Sequence, residues 1–183
     1  MWILGGIIVL GLFGAGGYNS LVRRRNRADQ AYSTIEVQLT QRYDLIPKLV
    51  ETVKQYMGHE RSLLEDIVRL RQKAVSSATP SDKIKADNDL TRAMGQLNVT
   101  MENYPQLKAS DTFVQLQRSL NEVEEQLAAA RRSYNAAVTD YNNAVQTFPS
   151  SIIAGGMNFG TRTMFVADEK KRGDVDMRGL FKA

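Results

Sequence analysis

The chain has 183 residues, with 24 Lys and Arg against 20 Asp and Glu, one His and no Cys, for a net charge of +4. That length suits one domain, and the missing cysteine excludes disulfides and thiolate metal sites. Four of the basic residues are bunched at Arg23, Arg24, Arg25 and Arg27 and the rest are interleaved with acids, so no basic stripe points to nucleic acid.

The first element is apolar. No residue before Arg23 is charged, and residues 1–17 read MWILGGIIVLGLFGAGG. At 1.5 Å per residue Trp2 to Gly17 reaches about 24 Å, and extension through Tyr18, Leu21 and Val22 approaches a ~30 Å hydrocarbon core. Residues 2–22 are therefore expected to form one transmembrane helix. A cleaved signal peptide is the weaker reading, because no Lys or Arg precedes the apolar run and the arginine cluster follows it directly. By the positive-inside rule the N-terminus is expected outside the membrane and everything after Arg23 on the cytoplasmic side. Arg23, Arg24, Arg25 and Arg27 are then expected at the membrane surface, in contact with lipid headgroups.

Helical periodicity runs through nearly all that follows. Ala28, Tyr32, Ile35, Leu39 and Ile46 recur on one face. Pro47 interrupts, as a kink or as the first position of a new helix with Asp44 as its cap, and is a candidate hinge between body and anchor. A second stripe takes in Leu49, Val50, Val53, Met57, Leu64, Ile67, Leu70 and Ala74, weakened at Gly58. SSATPSD breaks it, with Thr79 as N-cap and Pro80 at the first helical position. The third helix carries Leu90, Met94, Leu97 and Met101 and stops at Pro105.

The fourth helix starts near Ser110 or Asp111 and ends at Pro149. It presents Leu116, Leu120, Val123, Leu127, Ala130, Tyr134, Val138, Tyr141, Val145 and Phe148 at the alternating spacing of a bundle seam. The fold class expected is all-α: a transmembrane helix followed by an up-and-down four-helix bundle of long antiparallel helices. The domains expected are residues 2–22 as anchor, 23–149 as bundle and 150–183 as a partly ordered tail, with Ile152, Phe159 and Phe165 as candidates to dock onto the bundle or a partner.

The stretch YNAAVTDYN repeats a Tyr-Asn pair seven positions apart. Tyr134 and Tyr141 fall on the seam, and Asn135 and Asn142 beside it. The expected role is core tyrosines with amides tying neighbouring helices; the sharper alternative is a partner or self-association face. Catalysis is not expected there, since Tyr and Asn supply no near-neutral base.

No catalytic or metal constellation stands out elsewhere. His59 opens HERSL, where a zinc protease helix would need a second His at Leu63, and Tyr56 stands where a di-metal bundle needs Glu. Glu122, Glu124 and Glu125 read as a solvated charged face, and Glu65 with Arg69 as a surface pair. No cofactor is expected, and IIAGGMNFG lacks the Lys-Ser/Thr of a phosphate loop.

Taken in order from Tyr18 to Ala154, the stretches YNSLVRRRNRADQAYSTIEVQLTQRYDLIPKLVETVKQYMGHE, LRQKA, ENYPQLKAS and SLNEVEEQLAAARRSYNAAVTDYNNAVQTFPSSIIA resemble the LemA family. The resemblance implies a bacterial protein with one N-terminal membrane helix, a helical-bundle domain and no assumed enzymatic activity. A magnetosome membrane-formation protein in the same family keeps membrane organisation in view. The expected function is thus a non-enzymatic membrane-anchored scaffold or adaptor acting through protein contacts; the alternative is a self-assembling, membrane-organising or membrane-remodelling protein. Expected partners are membrane lipids, a protein partner that the sequence does not name and a second copy of the chain, with no nucleic acid.

Overall fold

The computed structural model describes residues 2–165; within them the side chains of residues 3, 4 and 6–10 lie outside the description. Every regular element among the described residues is helical. In chain order these are α1 (Trp2–Lys54), α2 (Arg61–Ser76), α3 (Pro80–Thr100), a 3-10 turn (Met101–Asn103), α4 (Pro105–Lys108), α5 (Asp111–Gln146) and α6 (Ser150–Gly156).

The 53-residue α1 is about 80 Å long at 1.5 Å per residue. Its buried positions Ala28, Ile35, Leu39, Ile46, Leu49 and Val53 alternate steps of seven, four and three. α5 has the matching stripe Phe113, Leu120, Val123, Leu127, Ala130, Tyr134, Val138 and Tyr141. The two stripes face each other, and residue numbers rise along α1 as they fall along α5. Arg24 meets Asp140, Tyr32 meets Tyr134 and Arg42 meets Glu124. α2 and α3 form a second pair, and α2 also packs on α1. Each fully buried Leu or Ile in these stripes contributes about 1.5–3 kcal/mol of transfer free energy.

Helix ends follow local chemistry where the sequence supplies it. Thr79 caps α3 by accepting from the Asp82 amide at 3.1 Å, with Pro80 at the first helical position as expected. The boundary expected at Pro47 lies elsewhere: α1 runs through it to Lys54. Pro47 lacks the N–H that would bond the Tyr43 carbonyl, and Arg71 Nε of α2 donates to that carbonyl at 2.6 Å. Asp44, expected as a cap, instead lies 4.0 Å from Arg71 Nη2. The break falls at residues 55–60, where Met57 turns into the core with no exposure and Gly58 carries the lowest helix propensity short of proline.

The tail begins as α6 and then runs back along the body to Phe165. Phe159 and Phe165 are buried as expected, but Ile152 is not: it is 68% exposed, and its neighbour Ile153 packs instead. Phe148, placed on the α5 seam by its spacing, is 80% exposed, because α5 ends at Gln146 and the chain has left the helical path. Residues 166–183 lie outside the described residues.

The expected span over residues 2–22 falls on the first turns of α1. Among the described residues no helix is long and apolar enough to cross a membrane, and seven side chains of that stretch are not among them. The described side chains Trp2, Leu12 and Phe13 are 96%, 69% and 60% exposed, and a Cβ added at Gly5, Gly11, Gly14 or Gly16 would meet nothing within 4 Å. Among the described side chains, packing on α1 starts at Gly17.

Candidate functional site

The repeated Tyr-Asn pair holds the strap formed by residues 158–165. α6 ends when Asn158 takes φ 56°, a left-handed conformation that Asn tolerates better than most residues. The Phe159 amide then donates to the Ala154 carbonyl at 3.0 Å, and Phe159 and Ala154 share one apolar cluster. That is the bond and the contact of a Schellman ending. It turns the chain back into the groove between α1 and α5.

Four side chains of α5 then grip the strap backbone. Tyr141 OH donates to the Gly160 carbonyl at 2.9 Å and Tyr134 OH to the Thr163 carbonyl at 3.0 Å. Asn142 donates through Nδ2 to the Arg162 carbonyl at 2.9 Å and accepts at Oδ1 from the Arg162 amide at 2.8 Å. Asn135 does the same with Phe165, both at 2.8 Å. A carboxamide carries one donor face and one acceptor, so each Asn imitates a rung of a β-ladder.

The repeat of seven has a geometric reason. Seven residues of helix advance about 10.5 Å, and three residues of strap cover that distance only when nearly fully extended, at about 3.3–3.6 Å each. Rungs at Asn142–Arg162 and Asn135–Phe165 therefore fix the strap's conformation as well as its position. Aromatic plugs close both ends. Phe159 meets Tyr18 edge-on at 5.8 Å between ring centroids, with Arg25 over its face at 5.2 Å. Phe165 meets Tyr134 at 5.6 Å and Tyr32 at 6.4 Å, with Arg131 at 5.5 Å. Arg162 bonds Asp29 of α1 and lies 5.7 Å from the Tyr141 ring.

The amides were expected to tie neighbouring helices; they tie the strap instead. Tyr134 and Tyr141 are buried core tyrosines as expected, with hydroxyls at the edge of the groove. The face considered for partners, Tyr134, Asn135, Tyr141 and Asn142, is covered by the chain's own backbone. Burial pushes Tyr32 up to about 12, helped by Glu36 and then Tyr134. Burial also raises Tyr134, with Arg162 opposing and Asp29 adding. Both phenols stay protonated at neutral pH, and Tyr134 remains a donor to the strap.

A second polar cluster lies in the core. Arg42 and Asp87 are 1% and 0% exposed. Arg42 Nη1 donates to Asp87 Oδ1 at 2.7 Å and to Thr91 Oγ1 at 3.0 Å, and its Nε lies 2.6 Å from Glu124 Oε1. Arg131 bonds the other Asp87 oxygen, and Tyr43 OH donates to Oδ1 at 3.4 Å. Burial first, and then the Asp87 charge, raises the Tyr43 phenol far above its ordinary value. Two cations and two carboxylates leave no net charge, and the cluster joins α1, α3 and α5.

Sequence reasoning missed Arg42, Asp87 and Arg131 and took Glu124 for a solvated charge. The remaining expected residues are scattered. Arg24 pairs with Asp140 and Arg25 covers Phe159, while Arg23 and Arg27 are exposed. His59 is exposed in the turn after α1. Glu65 pairs with Arg61 at 2.9 Å rather than Arg69, which takes Asp66 at 2.9 Å. Among the described residues no group of three or more His, Cys, Asp or Glu is placed to hold a metal.

A model of the LemA family matches residues 31–178. Protein LemA of Metamycoplasma hominis is 27% identical over 183 residues, covering 98% of this chain and 84% of that protein. Magnetosome protein MamQ of Magnetospirillum gryphiswaldense is 24% identical over 184 residues, covering 86% of this chain and 67% of that one. Magnetosome protein MamQ 2 of Paramagnetospirillum magneticum is 33% identical over 90 residues, covering 49% and 32%.

Proposed function

The chain belongs to the LemA family, and we propose that it is a membrane-anchored, non-enzymatic helical scaffold. Residues 2–22 form the single transmembrane anchor and α1, α2, α3 and α5 an up-and-down bundle on the cytoplasmic side of a bacterial inner membrane. The observation that carries this reading is the free end of α1. Its described apolar side chains before Gly17, where the first described packing contact falls, are exposed, and the sequence has no charge before Arg23. A helical end of that composition is stable in hydrocarbon and costly in water. The arginines that follow favour retention on the cytoplasmic side.

The body supports a binding role rather than catalysis. Arg42, Asp87, Glu124 and Arg131 are consumed in helix–helix ties, and the tyrosines and amides of α5 in holding the strap. The scaffold acts through its exposed helix faces on a protein partner at the bilayer. A second reading, a self-assembling membrane-organising protein, is favoured by the similarity to magnetosome proteins.

Alkaline carbonate extraction tests the anchor. The full chain stays with the membrane pellet, and the chain lacking residues 2–22 moves to the supernatant. Release of the full chain by carbonate overturns the proposal.

A further inference from the structure

The two longest charge-free runs of this chain are residues 1–22 and 141–161, and the fold brings them to the same end of the body. A Cβ on Gly17 would sit 2.4 Å from Ile153 Cδ1, so α6 rests directly on α1 there. Tyr18 meets Phe159, and Leu21 joins Tyr141, Ala154 and Phe159 in one buried cluster separate from the main core. α6 therefore lies beside α1 where the apolar N-terminal turns leave the body.

The outward side of this corner is largely apolar, with Gln146, Thr147 and Asn158 exposed at its edges. Phe148, Ile152 and Met157 are 80%, 68% and 62% exposed, and the exposed residues between them are Pro149, Gly155 and Gly156. Several polar groups at the end of α5 are met internally. Ser150 Oγ donates to the Ala144 carbonyl at 2.6 Å and lies 3.0 Å from the Thr147 carbonyl. The Thr147 amide reaches the Asn143 carbonyl at 2.9 Å, and the Ser151 amide the Thr147 carbonyl at 2.9 Å. Such a corner can leave water without stranding these groups. Arg23, Arg25 and Arg27, all exposed, follow on α1 directly after the anchor.

We propose that the α5–α6 corner is a membrane foot: Phe148, Ile152 and Met157 enter the boundary between headgroups and acyl chains of an anionic bilayer, beside the α1 anchor. The occupant is lipid rather than a second copy because the patch is continuous with the anchor and lies next to the arginines, which attract anionic headgroups. Three side chains also fall far short of the area that a stable dimer buries. One helix alone leaves the body free to tilt and turn at the bilayer; the foot adds a second attachment that sets its orientation. This inference rests on the anchor reading above.

The chain has one tryptophan, Trp2, and no cysteine, so anchor and foot are read separately in one sample. The full chain carrying Ile152→Cys, labelled with an environment-sensitive nitrobenzoxadiazole, is reconstituted into phosphatidylcholine–phosphatidylglycerol vesicles. Lipids spin-labelled near the headgroup or deep in the acyl chain are added, and Val99→Cys, 68% exposed before the substitution on distant α3, serves as reference. The foot predicts blue-shifted emission at position 152, quenched by the shallow spin label, with no quenching at position 99. An aqueous spectrum at 152 with Trp2 quenched by the spin-labelled lipids, most by the shallow label, overturns the foot and leaves the anchor standing. Unquenched Trp2 overturns the anchor, and the signal at 152 then decides the foot by itself.

Discussion

Arg42 and Asp87 occupy seam positions that would ordinarily hold leucine. Arg42 follows Ile35 and Leu39 and precedes Ile46 at steps of four, three and four, and Asp87 lies between Ile84 and Leu90. A buried carboxylate beside two guanidinium groups is tolerable only as a complete set. Asp87→Ala leaves Arg42 and Arg131 without their shared partner and is expected to cost about 3–5 kcal/mol. Urea unfolding of the detergent-solubilised protein, followed by circular dichroism, measures this; a loss under about 1 kcal/mol would place the pair among solvent-screened ones. The signal was present in the sequence as opposite charges on the apolar stripes of two predicted helices. It went unread because a stripe shows burial without showing which helix supplies the partner. The Tyr-Asn repeat was legible as seam plus flank for the same reason. Its true partner was not, since the strap is neither helical nor periodic.

Among the elements, the misplaced boundary at Pro47 is the most instructive. Proline removes one helical hydrogen bond and crowds the turn before it, which from sequence alone argues for an end. In the fold the stranded Tyr43 carbonyl receives Arg71 Nε at 2.6 Å, so a residue of α2 completes the ladder of α1. A hinge at Pro47 therefore requires that bond to open. Arg71→Met is expected to cost about 1–3 kcal/mol, the usual penalty for a buried acceptor left unpaired. Pro47→Ala restores an amide donor within α1 and should remove most of that penalty. A double-mutant cycle by thermal unfolding reads the coupling, and equal Arg71→Met penalties in both backgrounds would refute the link. The other helix boundaries were legible where local chemistry marked them, as at Thr79-Pro80 and Ser110-Asp111. The end of α5 was overrun, because Phe148 continues the apolar spacing of Tyr141 and Val145 after the helix has stopped at Gln146.

At the scale of the whole molecule, polarity is sorted along one axis. The two charge-free runs meet at Gly17–Leu21 and Ile153–Phe159, arginines follow, the neutral ion cluster lies midway, and α1 continues to the turn at Met57. From Val22 to Lys54 that rod extends about 48 Å, so features near residues 54–60 and the end of α3 stand far from the proposed bilayer. The most direct measurement is topology. The single cysteine of Val99→Cys, in a chain that has none, is exposed to a membrane-impermeant maleimide in cells with the inner membrane intact and then opened, the outer envelope being made permeable in both. The anchored cytoplasmic scaffold predicts labelling only after the inner membrane is opened. Labelling while it is intact would contradict that placement and turn the search for partners to the other side of the membrane.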